Sequence, residues 1–332
     1  MNNQLITIIA EIGSVHDGSI GNAIKAVETV AACGANVAKF QTHIAEAETL
    51  ADAPMPPYFK GEPRFDYFRR TAFSLSQWRQ IAQHCVEHDV RFLSSPFSLE
   101  AVDLLEEVGV ELYKIPSGEV TNVPLLERVA ATGKPVYLSS GMSNWSELDL
   151  AVANLQKGGP LTVMQCSSAY PCPPERVGLN VMLEMQERYK LPIGFSDHTL
   201  GHAAGISAAA LGATVIEKHF TFSRLMYGSD ALHSLEPKDF KIFCSQVIEA
   251  AIMRANPVEK NDLRDYLDMK RIFEKSVVAA RALGAGQTLQ LADLAFKKPG
   301  DGIPASRYKE LLGREVRHAL AADHKFTGED LK

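Results

Sequence analysis

Eight short runs of apolar, mostly β-branched residues recur along this chain, with amphipathic stretches between them. The runs are Ile6–Glu11, Asn36–Gln41, Arg91–Ser95, Leu112–Ile115, Val136–Ser140, Leu161–Cys166, Ile193–Ser196 and Thr214–Glu217. Most are too uniformly apolar for strands with one wet face. The stretches between them carry helix punctuation. Ser19 opens one that Gly34 stops, Ser98 opens one that Gly109 stops, and Thr199–Leu211 stops at Gly212. Ser76 is expected to cap a helix running to Glu87, and Ser143 to open the next but one. Eight strand–helix units in about 250 residues predict a (β/α)8 TIM barrel. An open, doubly wound sheet is the alternative, but no glycine-rich dinucleotide loop is present.

The pattern changes after a last amphipathic helix from about 236 to 254. Residues 257–275 are charged and irregular, a linker with some helix. From Ser276 short strand-like pieces alternate with turns: Val277–Ala280, Gly284–Leu289, Leu294–Lys298 and Pro299–Pro304. The expected organisation is a barrel over 1–256, a linker over 257–275 and a small β-rich domain over 276–332. So small a domain buries little core of its own.

Composition narrows the function classes. The 332 residues carry a net charge of -6, which gives no support to nucleic-acid binding. Residues 276–332 hold nine Lys/Arg against seven Asp/Glu, so this tail is weakly basic and the rest more acidic. No run of 18 apolar residues exists, so no membrane span is expected. The start of the chain has no basic n-region, and the five cysteines form no Cys-x-x-Cys pair. Reduced thiols and a cytoplasmic location follow as expectations. Cys166, at a strand end, is a nucleophile or simply a buried small residue.

Polar residues gather where the apolar runs end, and in a barrel that end is the catalytic face. His198 and His219 close neighbouring runs. Two neutral imidazoles at adjacent strand ends can hold a divalent ion of the Mn2+ or Zn2+ type and leave positions for substrate and water. Asp197 and Glu217 could orient them from behind. Lys39 and Lys114 also end strands, and a lysine in a barrel mouth is costly to bury without an anion. With Ser95, Ser117, Ser139 and Ser196 they suggest a phosphate and carboxylate cradle. Pairing with Glu11 and Glu119, or Schiff-base chemistry at one lysine, are the other readings. Glu11 and Glu119 are the carboxyls available for acid–base work. The Pro- and aromatic-rich segment from Pro54 through Tyr58 to Arg70 is a substrate-covering loop or rim packing. Asp230 suits polyol recognition, and Ser234 suits a helix cap.

Several motifs together carry a resemblance. They are Ala10-Glu-Ile-Gly13 with His16 and Gly18, Lys39-Phe-Gln-Thr-His43, Ser95-Pro-Phe-Ser98, and Tyr113-Lys-Ile-Pro-Ser-Gly-Glu119. Ser139-Ser-Gly-Met142, Tyr170-Pro, Gly194-Phe-Ser-Asp-His-Thr199 and Glu217-Lys-His-Phe-Thr221 follow in order. In these the chain resembles the sialic acid synthases, the phosphoenolpyruvate-dependent nonulosonate synthases. Residues from Ser276 through Pro304 resemble their C-terminal antifreeze-like (SAF) domain.

The resemblance implies condensation of phosphoenolpyruvate with an open-chain N-acyl-mannosamine-type sugar. The products would be a nine-carbon 2-keto acid and phosphate. It implies a divalent metal, Mn2+ first with Mg2+ or Co2+ as alternatives, on His198 and His219. Lys39, Ser95, Lys114, Ser117, Ser139 and Ser196 correspond to positions that hold phosphoenolpyruvate. Glu11 and Glu119 correspond to active-site glutamates. Gln41, Tyr170, Asp230 and Lys298 correspond to positions at the sugar. It also implies a homodimer in which the small domain of one subunit caps its partner's barrel. Val15, Ser168, Lys298 and Tyr227-Gly-Ser-Asp230 depart from the usual residues, all toward the sugar. The expected acceptor is N-acetylmannosamine or, as these departures suggest, a relative such as a legionaminic or pseudaminic precursor. A Schiff-base aldolase and a non-catalytic sugar-binding barrel are the competing functions.

Overall fold

Parallel pairing runs without interruption from β1 to β8 and back to β1 in a computed structural model that describes residues 5–54 and 61–332. The strands are β1 (Thr7–Gly13), β2 (Val37–Thr42), β3 (Arg91–Pro96), β4 (Tyr113–Ile115), β5 (Val136–Ser139), β6 (Leu161–Cys166), β7 (Ile193–Asp197) and β8 (Val215–His219). The sheet is a closed barrel, as the eight apolar runs predict, and the open-sheet alternative falls. Helices follow the strands. They include α1 (Ile20–Cys33), α2 (Ala45–Glu48), α3 (Arg64–Thr71), α4 (Leu75–Glu87), α5 (Leu99–Val108), α6 (Val123–Ala130), α7 (Trp145–Leu155), α8 (Leu179–Tyr189), α9 (Ala203–Leu211) and α10 (Pro237–Ala255). No helix among the described residues is long and apolar enough to cross a membrane.

Period two decides what each strand residue does. Outward residues such as Ile8, Ala38, Phe92, Val163 and Ile216 pack under the helices in the main core. Inward residues of the lower layer, Ile9, Val37, Leu93, Leu112, Met164 and Val215, fill the barrel floor with Tyr137. Gly194 belongs to this layer without a side chain. A Cβ there would lie 2.4 Å from Val215 Cγ1, so its neighbours already occupy the space.

Several helix starts differ from expectation for local hydrogen-bonding reasons. Ser74, not Ser76, caps α4, because Ser74 and Gln77 form a reciprocal capping box. Asn144, not Ser143, caps α7 with Glu147 in the same way. Residues 199–202 stay outside α9, since the Thr199 and Gly201 carbonyls accept from the buried Lys218 ammonium. Ser234 does not cap α10. Its hydroxyl donates to the Asp230 carbonyl, and Glu236 precedes Pro237 at the helix start. The expected covering segment from Pro54 to Arg70 includes α3, while its residues 55–60 lie outside the described residues.

Residues 258–332 form a second compact unit. It holds α11 (Leu267–Phe273) and an antiparallel pair, β9 (Ser276–Ala279) with β10 (Leu294–Lys297). Isolated bridges such as Leu283 with Leu320 and Val316 with Leu331 extend the β character. The unit has its own core, built on Val277, Ala279, Leu289, Val316, Phe326 and Leu331.

Candidate active site

Above the apolar floor, the next inward position of nearly every strand is polar. Glu11, Lys39, Ser95, Lys114, Ser139, Ser196 and Glu217 follow the floor residues by two, and Gln41, His198 and His219 lie two further on. These side chains line one cavity of about 290 Å³. Of the residues expected at the site, Ser117, Tyr170 and Asp230 line it as well. Glu119 does not line it. Its carboxylate accepts from Asn122 Nδ2 at 2.7 Å. Lys298 belongs to the second unit, where its ammonium lies 4.8 Å from the Phe273 ring centroid.

The deep end is a charge network. Lys39 Nζ lies 2.7 Å from Glu11 Oε2 and 3.4 Å from Glu217 Oε1. Lys114 Nζ lies 3.5 Å from Glu217 Oε2 and donates to Ser139 Oγ at 2.7 Å. The expected partnership of the lysines with Glu11 therefore holds for Lys39, whereas Glu217 takes the place foreseen for Glu119. Glu217 was expected behind the histidines. Its position on β8, two residues after Val215 of the floor, puts it inside the barrel instead, and that spacing is the signal for it. Asp197 also differs. It points outward, where it pairs with Lys218 at 2.8 Å and accepts from the Thr199 N–H.

Burial and charge separate the two carboxyls. Burial pushes Glu11 above the ordinary carboxyl range, against the pull of Lys39. Burial acts on Glu217 in the same sense, but Lys114 and Lys39 prevail and hold it at about 2. Burial pulls Lys114 down. The network balances two cations against two carboxylates, so an entering anion must be met by something more. Ser95 Oγ, buried on the cavity wall, has no hydrogen-bond partner among the described residues. A buried hydroxyl left so costs roughly 1–3 kcal/mol, which a ligand oxygen would relieve.

The histidines sit at the outer end, ring centroids 5.3 Å apart. His198 Nδ1 donates to the Ser167 carbonyl at 3.0 Å, leaving Nε2 to accept from the Tyr170 hydroxyl at 3.1 Å. A backbone carbonyl behind one ring nitrogen is the arrangement of a metal-binding imidazole, and a metal would take the place of the Tyr170 hydroxyl at the other. Burial opposes the charge on His198, but Cys166 raises its pKa, whereas burial pushes His219 down to about 4, so His219 offers a lone pair at neutral pH. Asp230 Oδ2 lies 3.9 Å from His219 Nδ1. No cluster of three or more His, Cys, Asp or Glu suited to a metal exists among the described residues. The two imidazoles by themselves could hold a divalent ion whose other positions are left to substrate and water. Cys166 is buried beside His198, its Sγ 3.8 Å from Nδ1. Burial opposes its ionisation, yet His198 draws the thiol down to about 7.

Gly13 explains the close packing at this end. Its φ is +54°, and a Cβ would lie 2.9 Å from Asp230 Oδ2 and 3.3 Å from Gln41 Nε2. Only glycine allows both the backbone turn and this convergence of polar atoms. Sequence reasoning passed over His43 and Arg64, which also line the cavity. His43 continues the inward period beyond the end of β2. Arg64 carries no such signal, since it stands on α3.

A model of the NeuB family matches residues 26–259, and a model of the SAF domain matches residues 274–332. The chain is 36% identical over 316 residues to the N,N'-diacetyllegionaminic acid synthase of Campylobacter jejuni, covering 92% of this chain and 94% of that protein. It is 33% identical over 335 residues to the N-acetylneuraminate-9-phosphate synthase of Mus musculus, covering 98% and 92%. Among solved structures it is similar to the sialic acid synthetase of Leptospira borgpetersenii crystallised with citrate. There the TM-score is 0.71 at 28% identity, over 80% of this chain and 90% of that one. A barrel with this polar rim, followed by a domain of this size and matched end to end in this way, leaves one assignment: the chain belongs to the NeuB family of phosphoenolpyruvate-condensing nonulosonate synthases, with a C-terminal SAF domain.

Proposed function

We propose that this enzyme joins phosphoenolpyruvate to an open-chain N-acyl-mannosamine-type sugar, giving a nine-carbon 2-keto acid and phosphate. The acceptor is N-acetylmannosamine or a precursor of the legionaminic or pseudaminic type. We read the working enzyme as a cytoplasmic homodimer. The observation that carries the reading is the division of one cavity into two zones. Cations and hydroxyls occupy the deep end, while paired imidazoles and polyol-binding groups occupy the outer end.

Each zone suits one substrate. Lys39, Lys114, Ser95, Ser117, Ser139 and Ser196 would hold the phosphate and carboxylate of phosphoenolpyruvate through charge-assisted hydrogen bonds. Gln41, Tyr170 and Asp230 would orient the sugar so that its aldehyde carbon faces C3 of phosphoenolpyruvate. The new bond forms between those carbons, the aldehyde oxygen takes a proton, water adds at C2, and the C2–O bond to phosphate breaks. Glu11, with its carboxyl raised by burial, would carry the proton. Glu217 keeps both lysines charged and in position. A divalent metal on His198 and His219, in keeping with the family's metal dependence, would polarise and orient the aldehyde as a Lewis acid.

The test is phosphate release from phosphoenolpyruvate with a panel of hexosamines, each product weighed by mass spectrometry. Release should require both substrates, vanish on chelation and return with Mn2+. His219→Ala should lower turnover at least about 100-fold while leaving the fold intact. Borohydride should trap no lysine adduct. A trapped adduct at Lys114 or Lys39 would replace this reading with a Schiff-base aldolase.

A further inference from the structure

A buried chain of side chains leads away from Glu11 to a group with no place in the reaction so far. Gln41 Nε2 donates to Glu11 Oε1 at 2.7 Å. The other end of the same amide, Oε1, lies 3.1 Å from His43 Nε2. His43 Nδ1 lies 2.7 Å from Glu48 Oε1. Phe68 and Phe97 stack on the two faces of the His43 ring, with centroids 3.7 Å and 4.2 Å away. The His43 and Glu48 side chains are both 4% exposed. Stacking and burial hold the ring between its partners.

The chain holds the Gln41 amide at both ends. Its NH2 group donates to Glu11 Oε1, and its oxygen meets the His43 ring. Glu48 anchors that ring from the far side, so the amide keeps its NH2 group toward Glu11 and the sugar end of the cavity.

We propose that Glu48 and His43 are positioning residues that fix the orientation of the Gln41 amide, so that Gln41 presents a hydrogen-bond donor to the acceptor sugar. The proposal rests on the functional reading of Gln41 given above and deepens it. The electrostatics of the pair involve few other groups. His16 faces His43 from the loop after β1. Arg64 on α3 lines the same cavity. Glu119, after β4, shares its charged surroundings with Glu48 and Arg64. Glu48 is the one carboxylate bonded to the ring among the described residues.

Two measurements test this on the full-length protein. In steady-state assays Glu48→Gln should raise KM for the sugar about tenfold and leave KM for phosphoenolpyruvate unchanged. Glu48→Asp should restore most of the loss. A merely structural pair would not move one KM alone. An unchanged sugar KM overturns the proposal. In the second measurement, 15N-labelled glutamine is followed by NMR without substrates, with the Gln41 side-chain amide signals identified by their loss in Gln41→Glu. Both Glu48→Gln and His43→Asn should shift those signals. Amide signals that stay in place in both variants overturn the proposal. This readout stands even if no sugar supports phosphate release, an outcome that would sink the functional reading instead.

Discussion

Glu217, Lys218 and His219 are consecutive and all buried, yet they serve opposite sides of one strand. Glu217 and His219 face the cavity. Lys218 faces the helices, where it pairs with Asp197 and lies 5.8 Å from the Phe243 ring centroid. The period of a strand makes this division, and it separates the cavity-lining groups from a structural cation. His16 is a second buried group outside the chemistry. Its Nδ1 accepts from the Gly18 N–H, and Phe73 packs against the ring at 4.4 Å. Burial, and after it His43, pushes His16 down to about 3. The folded state therefore refuses a proton that the unfolded chain takes below the ordinary value of 6.5. Stability should fall by about 1.4 kcal/mol per pH unit as acid is added through that window, and level off near its lower end. Denaturant unfolding at pH 5.5 and 4.5 should show a shallower loss in His16→Asn, and equal slopes would refute the assignment. The inward set of this protein was legible because it repeats every second residue. The tie of His16 to Gly18 was not, since it depends on how one loop turns back on itself.

At the scale of elements, the strands were found to within a residue or two, while several helix starts shifted. Strand existence rests on long apolar runs, which tolerate little ambiguity. A helix start rests on which of several nearby serines or asparagines reaches a free N–H. At α4 the choice falls on Ser74, with Gln77 answering it. Ser74→Ala should cost about 1 kcal/mol. Ser76→Ala should stay within about 0.5 kcal/mol. The ranking can be checked by urea denaturation, where equal losses would count against the capping box. Residues 199–202 show the same limit. They look helical from Thr199 onward, but their carbonyls are claimed by Lys218, a contact that needs β8 in place first.

For the whole molecule, two cores matter. The barrel unit is held by the layer under the helices and by the apolar floor. The 258–332 unit has a separate cluster centred on the fully buried Phe326. Phe326→Ala should destabilise that unit by about 3–5 kcal/mol. Calorimetry should show the transition of that unit lowered while the other keeps its temperature. The sequence by itself determined the barrel, the two-part organisation and most of the inner polar layer, because period and run length are local properties of the chain. Only the tertiary structure decided that Glu217 joins the lysines, that Asp197 leaves the histidines for Lys218, and that Glu48 and His43 stand behind Gln41. Those partnerships join elements far apart in sequence or turn on the path of a single loop. They are fixed by the closure of the barrel and by which buried charge finds a compensating neighbour.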